Sequence, residues 1–268
     1  MRGARVLGAL LLLALAAGCM LPGMQRQAAP RYYAEVIGGA PWTDLVVEID
    51  YAPGEQPSAA ATTHLIDTLR NVTGKTNVIL DEQPTLNATP GHSWTAQELI
   101  SLEASTRRHA HQAPAALLHV LYPNGGYNAT GDVAGVTISG RALGPITIFL
   151  DKLRGSTCIP TPATPLGQNV GLPVDQPAAA LETLERSTLL HETGHAMGLV
   201  DNGLPMVKDH EDKTNDPAKG GHSSDPRSVM YWVLDTCQGL RQALLQDGTI
   251  PDAFDGDDRA DLRSVGGR

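Results

Sequence analysis

The strongest chemical signal in the chain is the run His191-Glu192-Thr193-Gly194-His195. On a helix, a spacing of four puts both imidazoles on one face a turn apart, near enough to hold a single Zn²⁺ through nitrogen. Glu192 sits about 100° round the helix from His191, too far to be the natural third ligand but well placed to touch a metal-bound water. Two histidines leave a tetrahedral ion incomplete, so a third protein ligand and an open position are needed for catalysis. Gly198 follows, and a glycine there can adopt a positive φ and turn the chain sharply back. That turn would bring Asp201, six residues beyond His195, to the ion. His222, in a Gly220-Gly221-His222 context, and His210 are the competing imidazoles. Asp201 is favoured because Gly198 offers it a short return path, whereas His222 must be placed by a loop of more than twenty residues.

The eleven residues 191–201 resemble the metzincin zinc-binding consensus, with Asp201 in the place usually held by a third His. Ser228-Val229-Met230-Tyr231 resembles the Met-turn of that family, whose methionine packs beneath the metal. The resemblance implies a two-lobed α/β metalloprotease with one catalytic Zn²⁺: a mixed sheet with crossover helices above an active-site helix, and a small helical lower lobe. It further implies a zinc-dependent endopeptidase acting on a peptide or protein substrate. The metal would sit on His191, His195 and Asp201, and Glu192 would take a proton from the water and pass it to the leaving amine. Tyr231 is a candidate for transition-state support, although in the family the tyrosine follows Met by two residues, where this chain has Trp232. An anionic Asp201 ligand would acidify the water less than a third His, which implies an optimum at neutral to mildly alkaline pH. The rival readings are a zinc hydrolase of a non-peptide amide and a non-catalytic zinc-binding lipoprotein. A poised carboxylate at Glu192 argues against the second.

The elements that must position these residues alternate. Strands are expected at 43–51, 77–80, 115–122, 133–139 and 146–150, with helices at 57–72 and from Ser93 to about 111. The alternation favours an α/β sheet with crossovers. The 133–139 strand is the expected sheet edge along which an extended substrate would pair. The stretch 152–177 is irregular and rich in proline. A long helix then runs from an Asp175 cap through Met197 to Gly198, a polar loop covers 201–228, and closing helices are expected near 236–246 and 255–265. Asp252, Asp255, Asp257, Asp258 and Asp261 fit no calcium-loop spacing and read as a solvated helix face. His109 and His111 read as surface residues, and His64, His92 and His119 carry no signal.

The N-terminus suggests export. Arg2 and Arg5 precede an apolar run from Val6 to Ala17, the charge and length of a secretory signal. Ala16-Ala17-Gly18-Cys19 resembles a bacterial lipobox, which implies lipidation of Cys19 and anchoring to the cell envelope; Met20 after the cysteine points to the outer membrane. The expected organisation is a signal at 1–18, a lipid-anchored tether at 19–40 and a catalytic domain at 41–268, its upper lobe about 41–199 and its lower lobe about 200–268. In an oxidising compartment Cys158 and Cys237 are free to form a disulfide. The chain of 268 residues is 41% hydrophobic and can bury a sizeable core. A net charge of -9, with no dense basic stripe, makes nucleic acid an unsuitable partner.

Overall fold

Strands β1 (Asp44–Tyr51) and β4 (Ala115–Tyr122) are near-continuous apolar runs, as befits strands covered on both faces. They pair in parallel at the centre of a five-stranded sheet of order β2-β1-β4-β7-β6, with β2 at Asn77–Gln83, β6 at Gly135–Thr137 and β7 at Ile146–Ile148. Only the β6–β7 pairing is antiparallel, and β6 forms an edge, as the strand order in the sequence suggested. A second pair joins β3 (Ser93–Trp94) to β5 (Gly126–Tyr127). The computed structural model describes residues 29–128, 132–138, 144–155, 158, 177–216, 220–247 and 250–268. The expected signal, Cys19 and nearly all of the Pro-rich segment lie outside the described residues. Among those described, no helix is long and apolar enough to cross a membrane.

Helix α2 (Ala59–Val72) starts where the Ser58 side chain accepts from the Ala61 amide, and buries Leu65, Ile66 and Leu69. It packs with the long α5 (Pro177–Ala196) on one face of the sheet, over Leu45, Val47, Ile49, Leu118 and Val120. Burying a Leu or Ile side chain contributes roughly 1.5–3 kcal/mol, so this layer is what holds the helix of His191 and His195 in place. The opposite face carries α3 (Ala96–Thr106). That helix is shorter than the expected 93–111, because Thr95 and Glu98 form a capping box and Ser93-Trp94 are claimed by β3.

One expectation fails outright. The tether does not extend to residue 40, because α1 (Ala29–Ile37) is a helix whose Tyr32, Tyr33, Val36 and Ile37 are buried in the main core. Their spacing gives one apolar stripe, and its short length hides it beside the polar stretch before it. The chain ends with a short α4 (Leu150–Leu153), a 3-10 turn over Trp232–Asp235, α6 (Cys237–Asp247) and α7 (Gly256–Ser264). A disulfide joins Cys158 to Cys237. It ties the start of α6 to the sheet side of the molecule, beside a bridge between Val133 and Thr236.

Candidate metal centre

Helix α5 places His191 and His195 a turn apart, with their Nε2 atoms 3.0 Å from each other. The edges of a tetrahedron of Zn–N bonds are about 3.3 Å, so the pair is already spaced for one ion. The third side chain is not the expected one. His222 stands against both, stacked on His191 at a ring-centroid distance of 5.3 Å and 4.9 Å from His195. Nitrogen atoms of His191, His195 and His222 all lie within 4.8 Å of one another.

Asp201 is exposed and outside this group. Gly198 does end the helix at φ +82°, but Val200 and Asp201 follow with φ of 53° and 59°. Two consecutive left-handed residues, one of them β-branched, carry Asp201 outward and bring the next residue back. That residue is Asn202. Its amide nitrogen lies 3.0 Å from His195 Nδ1 and donates to the carbonyls of Leu199 at 2.8 Å and Gly221 at 2.9 Å. Asn202 thus fastens the loop bearing His222 to the end of α5. The expected alkaline shift from an anionic ligand has no basis in a cluster of three imidazoles.

The turn is clamped from α1. The Tyr33 hydroxyl donates to the Asn202 carbonyl at 2.9 Å, and a Cβ at Gly198 or Gly203 would run into the Tyr33 ring. Tyr33 fills the space that two glycines vacate. Below the histidines lies Met230, fully buried. A Cβ at Gly194 would collide with its sulfur, so the glycine inside the His-Glu-Thr-Gly-His run is what lets Met230 seat against the helix. The Ser228 hydroxyl accepts from the Met230 amide at 2.9 Å and closes the turn.

The donor chemistry suits a metal. His191 Nδ1 donates to the Val229 carbonyl at 2.7 Å, and His222 Nδ1 lies 2.9 Å from the buried Asp216 carboxylate. Spending the outer nitrogen on an oxygen acceptor leaves Nε2 as a free lone pair pointing inward. His222 Nε2 is buried with no hydrogen-bond partner. An orphaned imidazole nitrogen facing two others is the signature of a ligand set, since burying it unpartnered costs about 1–3 kcal/mol. Burial, then repulsion from His222, pushes His191 down to about 4, and burial with both other rings holds His195 well below the ordinary imidazole value. Burial acts the same way at His222, but Asp216 and Asp235 prevail and raise it.

Glu192 is buried beside the cluster. Burial, then repulsion from Asp235, pushes its carboxyl well above the ordinary value. Edge strand β6 runs directly over it: the Thr137 hydroxyl donates to the Glu192 carbonyl at 2.8 Å, and Gly135 is close enough that a Cβ would meet the Glu192 side chain. Asp235 is a residue the sequence did not single out. Its carboxylate lies 4.0 Å from His191 Nε2 and forms a metal-capable group with His191 and Glu192. It comes from the 3-10 turn held by the Cys237 disulfide, and nothing in its local sequence marks it. Tyr231 is half-buried, its ring against Trp232 at 5.6 Å.

Compared with family models, with curated proteins and with solved structures, the chain matches none. The mixed α/β fold and the metal-capable histidine group therefore stand on the residues themselves.

Proposed function

We propose that the chain is a zinc-dependent endopeptidase with a metzincin-like catalytic domain, exported and held to the bacterial cell envelope by a lipid on Cys19. The observation that carries this reading is the convergence of three imidazole nitrogens, two with their outer nitrogens spent on oxygen acceptors, over Met230 and beside the buried carboxyl of Glu192. His191, His195 and His222 would hold the ion. A bound zinc supplies a polarising Lewis acid and a water acidified toward neutrality.

The chain's own residues supply the rest. Glu192, next to the cluster and screened from bulk water, holds a proton at its carboxyl and can accept or return one within the site. Its raised pKa suits it to both roles near neutral pH. β6 offers an antiparallel edge whose unpaired backbone groups can bind an extended peptide, with side-chain specificity set by what flanks the edge. The disulfide and the Asn202 bridge keep the cluster fixed, so little reorganisation is needed on reaction.

Asp235 favours a second reading. If its carboxylate completed a four-ligand site, the metal would be closed and the protein a non-catalytic zinc-binding lipoprotein. One experiment separates them: the mature domain is incubated with a mixed peptide library, with and without chelator, as wild type, Glu192→Ala and Asp235→Ala. The endopeptidase reading expects chelator-sensitive cleavage, reduced by about 10²–10⁴-fold or more in Glu192→Ala with metal content unchanged. Absence of cleavage in the wild type, with weaker metal retention in Asp235→Ala, would establish the closed site instead.

A further inference from the structure

A second group of metal-capable side chains lies away from the histidine cluster: His210 in the polar loop, and Asp255 and Asp258 at the start of α7, with one ligand atom from each within 4.8 Å of the others. The expected solvated face is only partly there, since Asp252 and Asp257 stay 32% and 35% exposed. Asp258 and Asp261 are fully buried, and so is most of His210. The reason is the capping box at Asp255, which turns α7 so that its first turn faces the loop instead of water.

What makes this group more than a set of acids is how its atoms are spent. His210 Nε2 lies 3.0 Å from Asp261 Oδ2, and Asp261 Oδ1 accepts from the Val207 amide at 2.6 Å. Asp258 Oδ2 accepts from the Ser228 hydroxyl at 2.6 Å and from the Asp255 amide at 3.1 Å. Two atoms are left over: His210 Nδ1 and Asp258 Oδ1, both buried and both without a hydrogen-bond partner. They face each other at 3.9 Å, too far for a hydrogen bond and suitable for two ligands of one ion. The side chains that bear them are 4% and 0% exposed.

Charge points the same way. Among the described residues, His210 is the one basic side chain within ion-pair distance of Asp258 and Asp261. Two buried carboxylates, Asp258 and Asp261, thus share one imidazole, with the half-buried Asp255 close by, and buried negative charge of that kind is costly. The order Asp261, His210, then an open inner nitrogen repeats Asp216, His222 and its open nitrogen at the first centre.

We infer that His210, Asp255 and Asp258 form a second, structural site for a divalent first-row ion such as Zn²⁺. One imidazole and two carboxylates suit zinc and its neighbours better than calcium, which takes oxygen ligands. Through Asp258 and Ser228, the ion would fasten the turn that carries Met230 to α7 and to the 207–211 loop. The inference does not depend on the proposed peptidase activity.

The test is metal content after zinc loading and gel filtration of the full mature chain, in four forms: wild type, His191→Ala/His195→Ala, Asp258→Asn and Asp255→Asn. Asparagine caps a helix as well as aspartate and can keep the Ser228 bond, so both substitutions remove ligand charge while sparing the fold. The expected result is one zinc equivalent remaining in the double histidine variant, and one equivalent fewer than wild type in each aspartate variant, with circular dichroism unchanged. Cobalt loaded into the double histidine variant should show ligand-field bands that Asp255→Asn, added to that background, abolishes. Loss of all metal from the double histidine variant, with wild-type content in Asp255→Asn, would show a buried His–carboxylate pair only and overturn the site. A wild type that holds a single equivalent, retained by the double histidine variant, would sink the first centre and leave this one standing.

Discussion

The two faces of the sheet each hold a buried group with metal-capable distances, and they differ in whether their atoms are free. On the α5 side, His191, His195 and His222 converge, with the Nε2 atoms of the first two facing each other and that of His222 without a partner. On the α3 side, Glu48, Asp50 and His119 are equally close and more deeply buried. There, both Glu48 oxygens accept backbone amides, from Arg108 at 2.7 Å and His109 at 2.9 Å. Asp50 takes Thr85, Arg108 and His119, and Arg107 grips both oxygens of Glu103. A guanidinium occupies the place a metal would need. Distance alone therefore does not define a metal site; what matters is whether the lone pairs are already spent.

The largest effect is expected at His222. His222→Ala should strip the metal under chelator challenge and abolish peptide cleavage, whereas Asp201→Ala should keep both; metal analysis and a peptide assay on the two variants decide it. Zinc lost from Asp201→Ala and kept by His222→Ala would reverse the assignment of the third ligand.

The opposite face should respond in stability and not in metal. Asp50→Ala takes from the buried His119 its shortest acceptor, at 2.7 Å, and leaves the solvent-reaching Arg108 only Asp81 and Glu48, so thermal or denaturant unfolding should show a loss of about 3–5 kcal/mol with zinc content unchanged. The pH dependence has a definite sign. Burial opposes ionisation at Asp50 and Glu103, but hydrogen bonds from His119 and the arginines outweigh it and hold both below the ordinary carboxylate range. Burial likewise opposes charge on His119, yet Asp50 and Glu103 raise it above 6.5. The carboxylates contribute above their unfolded values of 3.8 and 4.5 and lose that contribution as pH falls. His119 contributes fully below 6.5 and loses it as pH rises through its raised folded value. The network should therefore add most stability between 4.5 and 6.5, and His119→Gln should flatten the alkaline side of that window in a pH series of melts.

Asp216→Asn sharpens the contrast at lower amplitude. It keeps the shape behind His222 but weakens the acceptor for Nδ1, and competition titration should show metal affinity reduced about 10–100-fold. An unchanged affinity would mean that Asp216 does not position His222. The smallest effect belongs to Tyr33→Phe, which removes the hydroxyl from the Asn202 carbonyl and keeps the ring packed against Gly198 and Gly203. It should cost about 0.5–1.5 kcal/mol in unfolding, with metal retained.

Much of this was legible in the residues. Periodicity and strand propensity located β1, α2, β4 and β7 to within a few residues, and placed β6 at the edge, because each buries a face whose spacing is local. The alternation of strands and helices predicted an α/β sheet with crossovers. The pair His191 and His195 with Glu192 between them could be read directly, since one helix turn fixes their relation. Gly194 and Met230 were both visible, but not that one makes room for the other.

Features that depend on long loops or buried charge emerge only in the folded chain. The sequence offered Asp201, His210 and His222 as third ligands and favoured the shortest return path. The left-handed pair Val200 and Asp201 reversed that order by turning Asp201 out and Asn202 in, and Asn202 then drew in the Gly221 loop. Asp235, brought beside Glu192 by a 3-10 turn, and Tyr33, reaching the site from a helix read as tether, have no local mark at all. His119 carried no signal and Asp258 read as part of a solvated helix face, because one-dimensional pattern does not report what packs over a polar group. Helix turns and strand pleats are fixed by bonds between near neighbours, so sequence carries them; the meeting of side chains across twenty or more residues is fixed by the packing of the whole chain, and only the folded molecule shows it.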